Sequence, residues 1–355
     1  MTIRQYRGVD FINRDKEISF FLDYFKNKPE RVLWVYGPKS TGKTTLIEYI
    51  VENHLMQDPS YNVKYINFRG KMIANYENFI DAFIKPKDSP FFKYVSATIN
   101  LHFLKIDSKL YEDIKNKRLD FFEAVQEEFL NYSNNKRNIL IIDEIQTLQD
   151  IYINGNRELL NEFLNFCVRL TKETHLSHVV ILTSNTIFLN QIYNNSKMKK
   201  TSKFKLIDHL SYKEIESWLT NNYQLSIDNS QLIYDYLGGC ASDIKKLLEE
   251  YKEFDSLEEY LENETKIAKN EIIFEKNRDL TNKEFEIFLQ IAKKIIKDGY
   301  FVFDENDEER RKELKSVIER FCNVEILFFD PIKNRVIANS KIYIKAFERM
   351  MVDSN

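Results

Sequence analysis

Glycine and proline are scarce in this chain, with 8 and 6 in 355 residues. Backbone that turns sharply or approaches another atom closely is thereby confined to few places, and each glycine marks a candidate. Cysteine is scarcer still. Cys167, Cys240 and Cys322 are odd in number and far apart, which excludes a disulfide framework and a cysteine metal cluster and leaves thiols in a reducing compartment. No apolar run reaches the ~18 residues that cross a bilayer, and the start "MTIRQYRGVDF" holds no signal-peptide core. A cytoplasmic protein without a membrane partner is expected. Neither sign of charge is in excess: 52 basic against 55 acidic side chains give a net of −3, without the bias of a polyanion-binding chain. Aromatic residues are plentiful. The 27 Phe and 20 Tyr, within a 43% hydrophobic composition, suffice for the cores of two or three domains.

Short apolar runs alternate with helix-length segments over the first two hundred residues. Strands are expected at 32–36, 63–68, 138–142 and 178–183, with a weaker one at 204–207, and helices at 44–53, 76–84, 119–132 and 157–171. Strands apolar along their whole length fit a parallel sheet covered on both faces. The alternation predicts an α/β fold, a doubly wound, mainly parallel sheet. The segment "INLHFLKID" (99–107) reads as an inserted strand. From Leu210 the pattern turns helical, with Ser211 and Asn229 as N-caps of short amphipathic helices. Residues 1–207 are thus read as the α/β domain and 208–265 as a small helical lid. After a charged spacer, 266–355 carries helices at 281–296 and 307–321, two strands around Pro331, and a closing helix. That order is a winged-helix-like outline lacking one helix.

One run carries the chemistry. "GPKSTGKT", Gly37 to Thr44, matches G-x-x-x-x-G-K-[ST] in full, after an apolar strand and before a helix. Successive N–H groups of such a loop form an anion-binding nest, and the helix that follows adds its positive end. Gly37, Pro38, Lys39, Ser40, Thr41, Gly42, Lys43, Thr44 and Thr45 are therefore the expected phosphate binders. Lys43 reaches the β- and γ-phosphates, and the Thr44 hydroxyl reaches Mg2+. A century of residues later, "NILIIDEIQTL" ends a buried strand in two carboxylates. Asp143 sits where open α/β sheets bind ligands and would hold Mg2+ through its water shell. Glu144 points elsewhere and would accept a proton from the attacking water.

With these residues in place, the chain resembles the archaeal ATPase family of the STAND class, relatives of the AAA+ ATPases. "FINRDKEISFF", the phosphate loop, "YINFRG", "IIDEIQ" with Gln146, "HVVILTSN" and "EILFFDPIKNRVIANS" carry the likeness across nearly the whole chain. The resemblance implies an ASCE-type core, an adenine pocket lined by Phe11, Ile12 and Arg14, a γ-phosphate contact at Asn185 or Ser184, and a coupling arginine at Arg69. Departures accompany it. Lys203 stands where relatives carry an arginine before the fifth strand, and Ser242 where many lids carry a sensing arginine. No histidine follows His209, so a histidine contact from the tail is excluded. Slow hydrolysis follows, unless a partner or a second subunit adds an arginine; Arg157 is one candidate.

The expected activity is that of an ATP-binding, Mg2+-dependent P-loop ATPase, a nucleotide-driven switch with ATP and ADP favouring different arrangements of lid and tail. The absence of N-K-x-D favours adenine over guanine. Two alternatives remain open: a nucleic-acid-handling ATPase resembling the origin-recognition ATPases, and a nucleotide-gated scaffold with little hydrolysis, whose partner is a protein or a second copy. Charge speaks against DNA at the tail. Residues 266–355 hold 18 basic and 17 acidic side chains, and 307–321 five of each, whereas DNA-binding modules present a basic face. The strongest basic cluster is "SKMKKTSKFK", with Lys197, Lys199, Lys200, Lys203 and Lys205.

Overall fold

The computed structural model describes residues 3–89, 104–116, 118–153, 157–303 and 308–353. Five parallel strands form the central sheet: β1 Val32–Tyr36, β2 Tyr61–Asn67, β3 Arg137–Asp143, β4 Ser177–Thr183 and β5 Ser202–Leu206. Their order is β5-β1-β4-β3-β2. Burial follows that order. β1 and β4 are buried at every residue, while the edge strands β2 and β5 are only partly covered. Side chains alternate between two cores. Val32, Trp34, Ile142 and Ile181 pack on one face with helices Tyr76–Phe83, Phe121–Ser133, Leu159–Val168 and Thr186–Asn194. Leu33, Val35, Ile141 and Val180 pack on the other with helices Asp15–Lys26 and Lys43–Ile50. The doubly wound α/β fold is as the apolar runs imply. Inserting β4 between the phosphate-loop strand and the Asp143 strand puts a third strand tip beside both.

Beyond the sheet, helices Tyr212–Tyr223, Ile227–Leu237 and Ala241–Glu250 form the helical region. Ser211 caps the first, its backbone N–H and hydroxyl both donating to Glu214, which is worth about 1 kcal/mol. The cap of the second is Ser226, not Asn229; Asn229 instead donates its own backbone N–H to the Ser226 hydroxyl at 3.1 Å. The charged spacer is a helix of 23 residues, Leu257–Asp279. Most of its charges face solvent, Glu275 being buried beside Arg320, while Tyr260, Leu261, Ala268 and Ile272 are buried with it, so polar density hid a narrow apolar stripe. A division at 265/266 falls within this helix. The C-terminal region adds helices Asn282–Asp298, Glu308–Asn323 and Lys341–Asp353 and a sheet in which hairpin Leu327–Asp330/Arg335–Ala338 gains a third strand, Phe301–Val302. One hydrophobic cluster joins this region to the helical one, with Leu219, Ile233, Tyr260, Phe288, Phe321 and Phe347 in common.

Other differences are local. A hairpin, Ile3–Tyr6 and Val9–Ile12, precedes the core, and Arg157 lies in a two-residue strand paired with Tyr152–Ile153 rather than at a helix start. Of the segment 99–107, Leu104–Ile106 is a strand parallel to Ile84–Pro86, and residues 99–103 lie outside the described residues. The basic cluster is not a loop. It runs through helix Ser196–Thr201 into β5, where Lys203 and Lys205 lie over the Phe20 ring at 5.0 and 4.8 Å. Among the described residues no helix is long and apolar enough to cross a membrane.

Candidate functional site

The phosphate loop leaves β1 at Gly37, where a Cβ would lie 2.0 Å from the backbone oxygen of Ile207; only glycine fits. Ser40 (φ 62°) and Gly42 (φ 79°) are left-handed, so neighbouring N–H groups turn inward. Gly42 begins helix Lys43–Ile50 without a side-chain cap, which leaves the helix's first amides facing the loop. Lys43 is 8% exposed, and its Nζ donates to the carbonyls of Gly37 and Pro38 at 3.0 and 2.8 Å. Burial lowers its pKa to about 8 against the opposing pull of Asp143 and Glu144.

Asp143 ends β3, 3% exposed, and accepts from the Thr44 hydroxyl at 2.8 Å and the Tyr65 hydroxyl at 3.2 Å. Burial raises its pKa, opposed by those two hydrogen bonds. Thr44 and Asp143 are hard oxygen donors side by side, the set Mg2+ takes together with phosphate oxygens and water. Among the described residues no group of three or more His, Cys, Asp and Glu side chains forms a metal cage. A cation here would accordingly depend on a nucleotide for its remaining ligands.

Glu144 is left-handed at φ 61°, a conformation costing roughly 1–2 kcal/mol for a residue with a Cβ. It turns the chain into the short 3-10 helix Ile145–Leu148, and its carboxylate takes partners other than those of Asp143. Arg69, just beyond β2, pairs with one carboxylate oxygen, and the Gln146 amide donates to the other. Gln146 accepts in turn from the Thr183 hydroxyl at 3.3 Å, at the tip of β4. Asn185 caps helix Thr186–Asn194, its side-chain oxygen accepting the Phe188 N–H at 2.9 Å. The expected sensor residue thus has its carbonyl committed, and the group linked to the acidic pair is Thr183.

Beside the loop lies a cavity of about 540 Å3. Phe11, Ile12 and Arg14 line it with Ser40, Thr41, Gly42 and Thr45, as do Trp218, Tyr223, Ser242 and Lys245 from the helical region. Phe11 stacks on Tyr49 with ring centres 4.4 Å apart. Arg14 donates to the backbone oxygens of Thr41 and Asp208, both at 2.9 Å, fastening the loop to the start of the helical region. The cavity suits a flat, partly apolar group attached to the phosphates. Asp10 accepts from Trp218 Nε1 at 2.7 Å and the Tyr223 hydroxyl at 3.0 Å, pinning the hairpin to the helices. The sequence reading omitted Asp10, Trp218, Tyr223 and Lys245. A rare tryptophan on an amphipathic helix was the one available signal.

The C-terminal region reaches the loop from the other side. Asn339 Oδ1 accepts the backbone N–H of Lys39 at 3.3 Å, and the Lys39 ammonium pairs with Glu325. His209 Nε2 meets the Asn339 carbonyl at 2.7 Å, and the Tyr36 hydroxyl donates to Asp330 at 3.1 Å. Two candidates fall away from the cavity. Lys203 lies over Phe20 and Tyr24, and Arg157 lines a separate cavity of about 400 Å3 with Tyr76 and Arg118.

A glycine-framed phosphate loop on a parallel strand, faced by an aspartate two strands away, defines a P-loop nucleotide-binding core. The chain belongs to a family of ATPase domains found predominantly in Archaea, which it matches over residues 11–247. An uncharacterized ATP-binding protein of Methanocaldococcus jannaschii is 30% identical over 371 residues, covering 97% of this chain and 98% of its own. A second from the same organism is 32% identical, covering 91% and 93%. Among solved structures, the ORC2 protein of Aeropyrum pernix in ADPNP–ADP complexes aligns at a TM-score of 0.46 and 12% identity, covering 100% of this chain and 96% of that one.

Proposed function

We propose that the protein is a Mg2+-dependent ATPase working as a slow switch, whose bound nucleotide sets how the helical and C-terminal regions sit on the α/β core. The carrying observation is the grip of the C-terminal region on the phosphate loop: Asn339 holds a loop amide and Glu325 the Lys39 ammonium. A γ-phosphate and these two groups compete for one end of the nest, so ATP and ADP differ in their interaction with the gripped arrangement. Lys43 would turn from its carbonyl partners to the phosphates. Thr44 and Asp143 would hold Mg2+, which supplies charge neutralisation at the β- and γ-phosphates, and Glu144 would accept the proton of the attacking water. Asn185 has its side-chain amide NH2, but not its carbonyl, to offer a γ-phosphate.

The shared hydrophobic cluster supports motion of the two C-terminal regions as one body, hinged near Asp208 and His209. The likeness to the STAND class and to a winged-helix tail belongs to this same reading. Nucleic-acid handling stands second. Helix Glu308–Asn323, the candidate reading helix, packs against core helix Thr186–Asn194, and it carries five basic against four acidic side chains. Hydrogen exchange over 325–339 with ATP·Mg2+ and with ADP tests the switch. Protection is expected to differ between the two; identical profiles under saturating nucleotide remove it. A hydrolysis rate raised by duplex DNA at physiological salt would favour the second reading.

A further inference from the structure

We infer that Gln146 is a positioning residue for hydrolysis, tying the carboxylate of Glu144 to the tip of β4. The inference rests on the proposed role of Glu144 as the water-activating base. Both carboxylate oxygens of Glu144 are engaged, one by Arg69 and one by Gln146. Arg69 approaches from an exposed side chain, 69% accessible, whereas Glu144 is 13% accessible. The inner restraint on the carboxylate is therefore Gln146.

The orientation of the amide follows from its partners. An ionised carboxylate only accepts, so the Gln146 NH2 must face Glu144. Thr183 Oγ1 already accepts the Asn185 N–H at 3.1 Å, so its own proton is available for Gln146 Oε1, at 3.3 Å. The result is a directed chain: Asn185 N–H to Thr183, Thr183 to Gln146, Gln146 to Glu144. Glutamine suits the middle of it, supplying one donor and one acceptor without a charge that would compete for the water's proton. The backbone under it is held firmly. Ile145 and Leu148 are fully buried, and Thr147 returns its hydroxyl to the Glu144 carbonyl at 2.9 Å. A group that contacts Asn185 at the head of helix Thr186–Asn194 would touch the same hydrogen-bonded chain that holds Glu144. The chain thus joins Asn185, the expected γ-phosphate contact, to the carboxylate that would take the proton of the attacking water.

The test separates kcat from nucleotide binding. Gln146→Leu keeps the volume and removes both hydrogen bonds; kcat is expected to fall about tenfold or more, with ATP affinity within about twofold. Gln146→Glu, which sets a like charge against Glu144, is expected to fall further. Thr183→Val should resemble Gln146→Leu and Thr183→Ser should restore most of the rate, with the Gln146→Leu/Thr183→Val pair no worse than either alone. A Gln146→Leu enzyme with unchanged kcat, or one whose loss lies wholly in affinity, overturns the inference, as does strict additivity with Thr183→Val. Glu144→Gln is the control. If it abolishes turnover while Gln146→Leu leaves kcat unchanged, the positioning role alone fails; if it leaves the rate intact, the base assignment fails and takes this inference with it.

Discussion

The proposed nucleotide site has two halves, one for phosphate and one for the base, built on different principles. The phosphate half rests on strand ends and one continuous loop, so residues within eight positions of each other make the cradle and a single further strand supplies Asp143. The base half is assembled from distant pieces: Asp10 and Phe11 of the first hairpin meet Trp218, Tyr223 and Ser242 more than two hundred residues away. The first is closed within one segment of chain and one further strand, and the second exists only when hairpin and helical region are docked. On the proposed reading, selectivity for the base depends on that docking, while the phosphate half feels the C-terminal region only through Asn339 and Glu325.

Four experiments break or sharpen that contrast. The largest effect is expected from Gly37→Ala, whose added Cβ meets a backbone oxygen at 2.0 Å and cannot be relieved by a rotamer. A destabilisation of about 3 kcal/mol or more, read as a fall of roughly 5–10 °C in Tm, should accompany loss of nucleotide binding. A variant that melts and binds like the parent would mean that the loop can leave the Ile207 carbonyl freely. Next, Lys43→Ala should weaken ATP and inorganic tripolyphosphate alike by about a hundredfold, the worth of a buried charge-assisted contact. Calorimetry on both ligands checks it, and equal affinity in variant and parent would remove Lys43 from the phosphate half.

Asp10→Ala should divide the halves. It strands the Trp218 N–H and the Tyr223 hydroxyl, so ATP affinity should drop about five- to tenfold with tripolyphosphate unaffected. A matching drop for tripolyphosphate would show the halves to be one cooperative unit. The smallest effect is on pH. Burial holds the Lys43 ammonium at about 8, below its ordinary 10.5, and phosphates bind its protonated form. ATP affinity should thus be flat below pH 7 and fall severalfold as pH rises through about 8 to 9.5. Folding stability should trend the opposite way over the same range. The unfolded chain holds that proton more tightly, so the folded state gains as pH climbs from about 8 towards 10.5. Lys43→Arg, which stays charged, should flatten both curves.

The same contrast explains what was legible in the sequence. The phosphate half is local chemistry: the spacing of Gly37, Gly42, Lys43 and Thr44 and an apolar run ending in Asp143 announce it, and the structure brings Thr44 and Asp143 to 2.8 Å. The apolar strands of the sheet were equally plain, because burial on both faces leaves no room for polar residues. Helix Leu257–Asp279 was not, since a helix buried along one narrow stripe carries a spacer's composition. Asp10 and Trp218 were invisible for another reason: their partnership depends on how two regions dock, and no period within either segment encodes it. Asn185 was read as a strand-tip sensor. Its polarity was visible, and its side-chain oxygen also caps the next helix, a second duty that the strand-tip pattern does not announce.

In the proposed switch, the long helix that replaces the spacer would act as a lever. Twenty-three residues at 1.5 Å each form a rod of about 35 Å, and a tilt of roughly 10° at one end sweeps the other through about 6 Å. Its first turns meet helix Ala241–Glu250, which borders the cavity, through Tyr260–Glu250 and Lys246–Glu264, and its body lies along the closing helix Lys341–Asp353. A displacement of an ångström or two beside adenine would be geared up before it emerges at the far tip, where any listener need only sense position.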